Sequence, residues 1–510
     1  MTSLWLDQQS ASVPTDAFEP ERHYDAVVVG AGITGLTTAL LLARAGKSVA
    51  VLEARSIGAV TTGHTTAKLS LLQGGVMSGI RSRGSSRVLK AYVEGNREGQ
   101  QWMLRYLDEH GVDVQRRDAF TYAGTAEGLS SLDDEYEACR EAGLDVERVD
   151  DVGLPFETHG ALRLREQAQF DPMHVLRALA ADVREHGGVI IEGVRVKDVD
   201  TGEPSRVTSA VGDVLASIVV LATGIPILDR GLYFAKVKPS RSYAQAYRVP
   251  GAQLPQGMYL SIDSPGRSLR TAPRGAEELL IVGGNGHTVG RESDTEALVD
   301  DLEHWTQQYF PGAVRTHAWS AQDYESMNLV PFVGWMPRTH HRVVLATGYN
   351  KWGMTNAVAA ALSIAADVLD GSIPWAKTLH HRITLPQDVA HSVVANAEVA
   401  GRLASGWAAG LHSLPVEVPA EGAGVVGMYD KEPTAVSTVD GTTCRLSAVC
   451  THLGGIVTWN GAERSWDCPL HGSRFDAQGH LLEGPAVDDL RAVDEPELPG
   501  DEHEAVVDES

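Results

Sequence analysis

The 510-residue sequence predicts an α/β domain on a buried parallel sheet, interrupted by a mixed α+β sheet domain and followed by a small all-β domain. Three observations predict this. A strand, a glycine-rich turn, a helix and a second strand follow one another between Tyr24 and Glu53. Short buried strands of the same kind return at 216–221 and 343–346, with strands of a different, aromatic and Gly/Pro-spaced character between them at 236–335. From Leu414 to about residue 493 the pattern is turn-rich and all-β.

Each element follows from local chemistry. Tyr24 to Val29 is an apolar, β-branched run of the type buried in parallel sheets; Leu36 to Ala45 is helical, and Ser48 to Leu52 is the second strand. Residues 88–150 are charged and periodic and read as mostly helical, Asp171 to His186 as a helix, and Gly187 to Val199 as a return to strands. Thr355 to Leu369, rich in small residues, is a helix. The expected boundaries are a polar lead-in arm at 1–21, the α/β domain over 22–235 and 336–375, the inserted sheet domain over 236–335, a helical linker at 376–410, the all-β domain over 411–493 and a tail at 494–510. That tail carries eight acidic residues and no Lys or Arg.

Composition narrows the function. Lys and Arg total 43 against 67 Asp and Glu, a formal net charge of −24, which disfavours a phosphate-backbone partner and excludes nucleic acid as an expectation. No apolar run reaches the roughly 18 residues of a membrane span, and the first 25 residues lack the basic and apolar regions of an export signal. Four cysteines, Cys139, Cys444, Cys450 and Cys468, are too few for a disulfide scaffold and suit a reducing cytoplasm.

Gly30-x-Gly32-x-x-Gly35 lies directly after a strand and opens a helix. The first glycine permits a tight turn, the second lets backbone approach a pyrophosphate, and the third lets helix pack on strand. Phosphates then rest on the free N–H groups of the helix N-terminus. Glu53 ends the second strand, 18 residues after Gly35, where a ribose hydroxyl can donate to it. This Rossmann-type fingerprint serves NAD and FAD alike. No second fingerprint of the kind a flavin reductase needs for NAD(P)H stands out. Gly284-x-Gly286-x-x-x-Gly290 runs into the charged Arg291-Glu292-Ser293-Asp294 and reads as a hairpin of the inserted sheet.

Cys450-x-His452 and Cys468-x-x-His471, separated by 15 residues, form the second signal. Two thiolates on one iron and two imidazoles on the other make a Rieske [2Fe–2S] centre; a tetrahedral zinc site is the alternative for the same four residues. Each loop supplies one Cys and one His, as two loops facing each other across a two-iron cluster would. Trp466, Phe475 and Gly484-Pro485-Ala486 flank the loops. Ser473 can donate to a cluster sulfide and raise its potential. Cys139 and Cys444 are expected to be packed thiols.

With Thr61-Thr62-Gly63-His64-Thr65-Thr66-Ala67-Lys68, Asp171-Pro172, Ala222-Thr223-Gly224 and Gly348 to Asn356 added to these motifs, the chain resembles the D-amino-acid-oxidase-like (DAO) FAD oxidoreductases, in the bacterial subgroup with a C-terminal Rieske domain. The resemblance spans about residues 22–490. It implies a DAO- or glutathione-reductase-type FAD domain whose cofactor contacts are Gly30, Gly32, Ile33, Thr34, Gly35, Glu53, Ala54, Thr62, His64, Thr65, Thr66, Val196, Ala222, Thr223, Gly224, Gly348, Gly353, Met354 and Thr355. Residues 61–68 would run along the flavin and pyrophosphate, and Val196 would hold the adenine by its backbone. Gly353 to Thr355, at a helix N-terminus, would stabilise negative charge on the flavin. FAD would be held noncovalently, with attachment through His64 as the alternative. The cluster ligands would be Cys450, His452, Cys468 and His471. High-potential respiratory Rieske proteins carry an added cysteine in each loop; Gly455 and Leu470 stand at those positions here, which with Ser473 implies an intermediate potential.

The expected activity is oxidation of a small amine or amino-acid-like substrate by hydride transfer to FAD, with electrons leaving singly through the cluster to an external acceptor or redox partner. Lys351, Trp352, Tyr243 and Arg241 are the candidate catalytic residues, with Tyr247 and Tyr259 as further candidates to hold substrate. The alternatives are an electron-transfer component serving a partner protein and a redox sensor. An oxygenase centre of two His and a carboxylate is not expected, since no two histidines stand five apart.

Overall fold

A computed structural model describes residues 1–7, 15–381, 399, 401–408, 414 and 418–493. The dinucleotide-type sheet has the order Phe332–Trp335, Val343–Thr347, Gly212–Leu221, His23–Val29, Val49–Leu52, Val189–Ile191. The five strands from Val343–Thr347 to Val189–Ile191 run parallel, and Phe332–Trp335 joins antiparallel at the edge. Val27, Val28, Val219, Val220 and Val343 are fully buried, because helices cover one face and Val196, Val199 and Val207 of the strands Val196–Asp200 and Ser205–Ser209, with Leu228, Tyr233 and Met336, cover the other. Helices Ile33–Arg44, Pro172–Glu185 and Gly353–Val368 pack on this sheet's core. Asp171 caps its helix, its carboxylate accepting from Met173 N at 2.8 Å.

The second sheet is wider than residues 236–335. Its order is Val314–Ser326, Val237–Arg248, Glu277–Thr288, Arg267–Arg274, Met258–Ser261, Val114–Ala123, Gly160–Phe170, Lys68–Leu69, with Glu147–Val149 also pairing Gly160–Phe170. Four strands therefore come from the stretch assigned to the first domain, joined through a parallel pairing of Met258–Ser261 with Val114–Ala123. Within 88–150, only Ser86–Glu109 and Gly128–Glu141 are helices. Val114–Ala123 was hidden because its first half is half-exposed and carries Gln115, Arg116, Arg117 and Asp118, so period-2 alternation is lost among charges.

Two further expectations change. Gly284 to Gly290 is no hairpin: it closes the strand Glu277–Thr288, turns at Gly290 (φ +67°) and enters the helix Thr295–Tyr309. The Arg291–Asp294 run is that helix's lead-in, with Asp294 accepting from Ala297 N at 2.9 Å. The N-terminal arm is more than a lead-in, for Leu4 and Trp5 are buried in the main core.

The C-terminal domain has a three-stranded sheet, Gly424–Tyr429, Glu432–Val439 and Thr442–Ser447, and a four-stranded one, Thr458–Asn460, Ser465–Asp467, Arg474–Asp476 and Leu481–Glu483. Trp466 and Phe475 fill its core. Of the linker, Pro374–His380 and residues 401–408 are helical, the latter packing Leu403 on this core; 382–398 and the tail at 494–510 lie outside the described residues. No described helix is long and apolar enough to cross a membrane.

Candidate functional site

The first strand ends at Gly30, whose φ of +104° turns the chain beneath Ala222; a Cβ there would meet the Ala222 carbonyl oxygen at 2.6 Å. A Cβ on Gly35 would sit 1.9 Å from the Gly30 oxygen, so the helix can approach the turn only without one. Gly32 is the helix N-cap and has no side chain to occupy the first-turn amides; only Thr62 Oγ1 reaches Ile33 N, at 3.3 Å. Free donors at a positive helix end make an anion cradle. Glu53 sits beside it, accepting from Ala31 N at 2.8 Å and Arg55 N at 2.9 Å. Burial pushes its carboxyl up against those two bonds and the nearby Arg195 and Arg55.

The segment Thr61–Lys68 is held by its carbonyls. Ser3 Oγ donates to Gly63 O, Trp319 Nε1 to His64 O, Trp5 Nε1 to Thr65 O, and Arg270 to Thr66 O and Ala67 O, all at 2.6–3.0 Å. Five successive carbonyls are thus engaged by side chains from three other parts of the chain. His64 Nδ1 donates to Val60 O at 2.8 Å, and burial lowers its pKa, keeping the ring neutral.

These elements wall a cavity of about 550 Å³. Gly30, Gly32, Ile33, Thr34, Glu53, Ala54, Thr62, His64, Thr65, Thr66, Val196, Ala222, Thr223 and Gly224 line it, as do Tyr243, Lys351, Trp352, Gly353 and Met354. Three expected contacts stand behind the wall. Gly35 lies under the Gly30 turn, Gly348 packs on Ser326, and Thr355 donates to Asn96 Oδ1 at 2.5 Å on the far side of its helix. The helix Gly353–Val368 again lacks a side-chain cap and presents its N-terminus to the cavity.

Of the candidates to hold substrate, Tyr243 lines the cavity; its ring stacks on His287 at 5.5 Å and its buried hydroxyl has no partner among the described residues. Tyr247 bonds Gln245 in the core and Tyr259 stacks on Phe120 at 5.0 Å, both away from the cavity. Arg241 is not a substrate residue in this arrangement. Its guanidinium contacts Glu463 at 2.6 Å and Glu483 at 3.2 Å, both from the C-terminal domain. Arg474 joins them at 2.9 Å to Glu463, 3.0 Å to Glu483 and 2.9 Å to Asp467. Burial pushes the Glu463 carboxyl up, but Arg241 and Arg474 outweigh it and hold the group well below the usual carboxylate range.

Two cavity residues carry no sequence signal of their own. Lys68 Nζ donates to Tyr259 O at 2.9 Å and to Ser268 Oγ, and burial, with the nearby Arg270, lowers its pKa to about 7. Asp323 accepts from Tyr324 N at 2.8 Å and from Lys351 N, and burial raises its carboxyl to about 6. Lys68 closes the threonine-rich motif, which was its one available pointer.

In the C-terminal domain Cys450 and Cys468 are buried within hydrogen-bonding reach of each other, and the His452 and His471 rings stand 5.1 Å apart. Both Nδ1 atoms are buried without a partner among the described residues, and two such nitrogens beside two thiols are what an iron–sulfur cluster would satisfy. The two thiols form one pair and the two imidazoles the other, as a cluster of two irons requires. Ser473 Oγ lies by Cys450 and accepts from Ala486 N at 3.0 Å. A Cβ on Gly455 would meet Leu470 at 2.6 Å, so the positions of the missing cysteine pair face each other. Cys139 and Cys444 are free thiols.

A dinucleotide cavity with a cluster-bearing domain docked against it defines a flavin–iron–sulfur oxidoreductase. The chain belongs to the FAD dependent oxidoreductase family, DAO, matching it over residues 25–367, and a Rieske [2Fe-2S] domain matches residues 414–494. It therefore binds FAD and a [2Fe–2S] cluster. A Rieske 2Fe-2S iron-sulfur protein of Bacillus subtilis, YhfW, is 30% identical over 94% of this chain and 95% of its own. Iron-sulfur subunit 1 of the cytochrome b6-f complex of Nostoc is 53% identical over 45 residues, 9% of this chain and a quarter of that one. Among solved structures, glycine oxidase from Geobacillus kaustophilus superposes with TM-score 0.57 at 18% identity, covering 69% of this chain and 96% of its own. L-Amino acid deaminase from Proteus myxofaciens gives 0.58 at 17%, covering 73% and 96%. At these identities they show a shared fold.

Replacing Arg241 by Met leaves Glu463, Glu483 and Asp467 with one guanidinium among them and should cost about 3–5 kcal/mol, read as a lowered thermal midpoint of the C-terminal domain. Lys68 gives a pH signature. Between about pH 7 and 10.5 the unfolded lysine binds a proton that the folded one lacks, so its burial costs most near pH 7 and the cost fades as pH rises. Lys68→Met should raise the urea midpoint at pH 7 and lose that advantage towards pH 10.

Proposed function

We propose that this protein oxidises a small amine or amino-acid-like substrate by hydride transfer from the carbon beside nitrogen to FAD, and passes the electrons singly to an external acceptor through its Rieske domain. One observation carries the reading: Leu482, Glu483, Gly484, Ala486 and Val487 of the cluster-bearing domain line the same cavity as Gly30–Thr34 and Gly353. Bound FAD supplies a two-electron acceptor and the cluster a one-electron carrier, so their union in one chain converts paired to single electrons.

The chain's residues prepare the substrate. The partnerless Tyr243 hydroxyl offers a hydrogen bond to a polar group within the cavity. The burial that brings Lys68 to about 7 acts equally on a substrate ammonium beside it, favouring the neutral amine whose lone pair assists hydride departure. Lys351 and Trp352 form the wall beside the Gly353 helix N-terminus, which favours negative charge on an adjoining ring. His64, neutral and bonded through Nδ1 to Val60, is a polar wall to a noncovalent flavin. Four cysteines without a disulfide suit work in the cytoplasm.

Anaerobic absorbance titration tests the reading. Amines or amino acids should bleach the flavin and then reduce the cluster, and Cys450→Ser should keep the first change and lose the second. Bleaching by NAD(P)H alone would instead make the protein an electron-transfer component. Acid precipitation should release all the flavin to the supernatant; yellow colour retained in the pellet would instead show a covalent link, for which His64 is the candidate residue.

A further inference from the structure

One short segment touches both redox sites. Ala222, Thr223, Gly224, Ile225 and Ile227 line the dinucleotide cavity. Five to ten residues on, the same segment reaches the cluster ligands. Asp229 Oδ1 lies 3.1 Å from His452 Nε2. The Phe234 ring stands edge-on to His452 at 5.2 Å and to His471 at 4.8 Å. Its start is tied to a neighbouring strand and its end is closed as a turn. Thr347 Oγ1 donates to Gly224 O at 2.6 Å, and Leu232 N donates to Asp229 O at 3.0 Å.

His452 is 7% exposed, whereas the Asp229 side chain is 58% exposed and bonds nothing else among the described residues than this imidazole. With Nε2 committed to a carboxylate, Nε2 carries the proton and donates, and the partnerless Nδ1 is left with a lone pair for a metal. A carboxylate behind a ligating imidazole fixes its tautomer and orientation and makes it a stronger electron donor.

We propose that Asp229, a residue of the FAD domain, is the positioning residue of the Rieske centre: it orients His452 and lowers the cluster's reduction potential, so that the potential is set by docking onto the flavin-binding half of the chain. The sign follows from charge. The oxidised cluster carries one positive charge more than the reduced, so an anion hydrogen-bonded to its ligand favours the oxidised form. No bond is made or broken as the cluster takes up its single electron.

The test is a redox titration of the full-length holoprotein at one fixed pH with dithionite and mediators, following the cluster by electron paramagnetic resonance and the flavin by absorbance. It needs no substrate, so it stands or falls separately from the amine reading. Asp229→Asn should raise the cluster's midpoint potential while iron content and the flavin potential stay as in the parent. Asp229→Glu, which keeps the charge, should stay nearer the parent than Asn does. A cluster potential unmoved in Asp229→Asn overturns the proposal, as does an equal shift in both variants, a parallel shift of the flavin, or loss of the cluster from both.

Discussion

The arrangement rests on a buried charge cluster between two domains. Within the C-terminal domain Arg474 faces Glu463, Glu483 and Asp467, three carboxylates against one guanidinium. Arg241, from the strand Val237–Arg248 of the second sheet, supplies the other cation. Burying ions is costly, and a well-packed apolar contact would serve stability as well or better. What an ionic contact adds is register. Any shift of the domain strips the buried Arg241 of both its carboxylates and leaves Glu463 and Glu483 to share Arg474 alone, so one docking geometry is favoured over all others. Around the cluster, Gln322 Nε2 donates to Gly472 O at 2.8 Å, Arg291 Nε to Pro469 O at 3.0 Å and Thr458 Oγ1 to Gly290 O at 3.0 Å. The first two land on or next to the ligand loop Cys468–His471, and Thr458 pairs with Asp467 just before it, so the register that the charges select is transmitted to the redox centre.

The same logic shapes the dinucleotide cavity. Carbonyl oxygens pointing into it would repel a pyrophosphate. The segment 63–67 has its carbonyls taken by Ser3, Trp319, Trp5 and Arg270. Two helix N-termini without side-chain caps open on the cavity, so its fixed dipoles are positive on balance. Arg270 needs this role to be tolerable. Burial pulls its guanidinium down to about 9, and bonds to Thr66, Ala67 and Thr271 carbonyls replace the water it has lost. Glycines at 30, 32 and 35 then bring the backbone into range.

What could be read in the sequence was what backbone geometry and ligand chemistry fix locally. Gly30, Gly32 and Gly35 are required by contacts only a few residues or one strand away, and Cys450-x-His452 with Cys468-x-x-His471 pairs ligands within single loops. Their meaning survives without knowledge of the rest of the fold. Burial of charge does not. Arg241 reads as a substrate anchor because its partners lie more than two hundred residues away in sequence, in another domain. Lys68 and Asp323 look like surface residues until the sheet closes over them. Val114–Ala123 carries its charges on a half-exposed stretch, so its pairing with Met258–Ser261 leaves no periodic trace. Trp5 is a similar case, its indole bonded to Thr65 sixty residues on.

The segment from Ala222 to Phe234 shows why two redox groups belong in one chain here rather than in two proteins. Its start is fixed by the Gly30 turn, since the Ala222 carbonyl occupies the space a Cβ on Gly30 would take. Its end is fixed by the cluster ligands, through Asp229 and Phe234. Tyr324, also in the cavity wall, donates to Gly484 O at 3.1 Å and accepts from Gln322, which in turn donates to Gly472 O beside His471. Two routes of bonded contacts therefore join the cavity to the ligand loops, one on each side of the domain junction. A separate ferredoxin-like carrier would have to find such contacts anew at each encounter and lose orientational entropy each time. Covalent continuity through the linker keeps the two halves at a high effective concentration, and the buried ion pairs choose the register in which they meet.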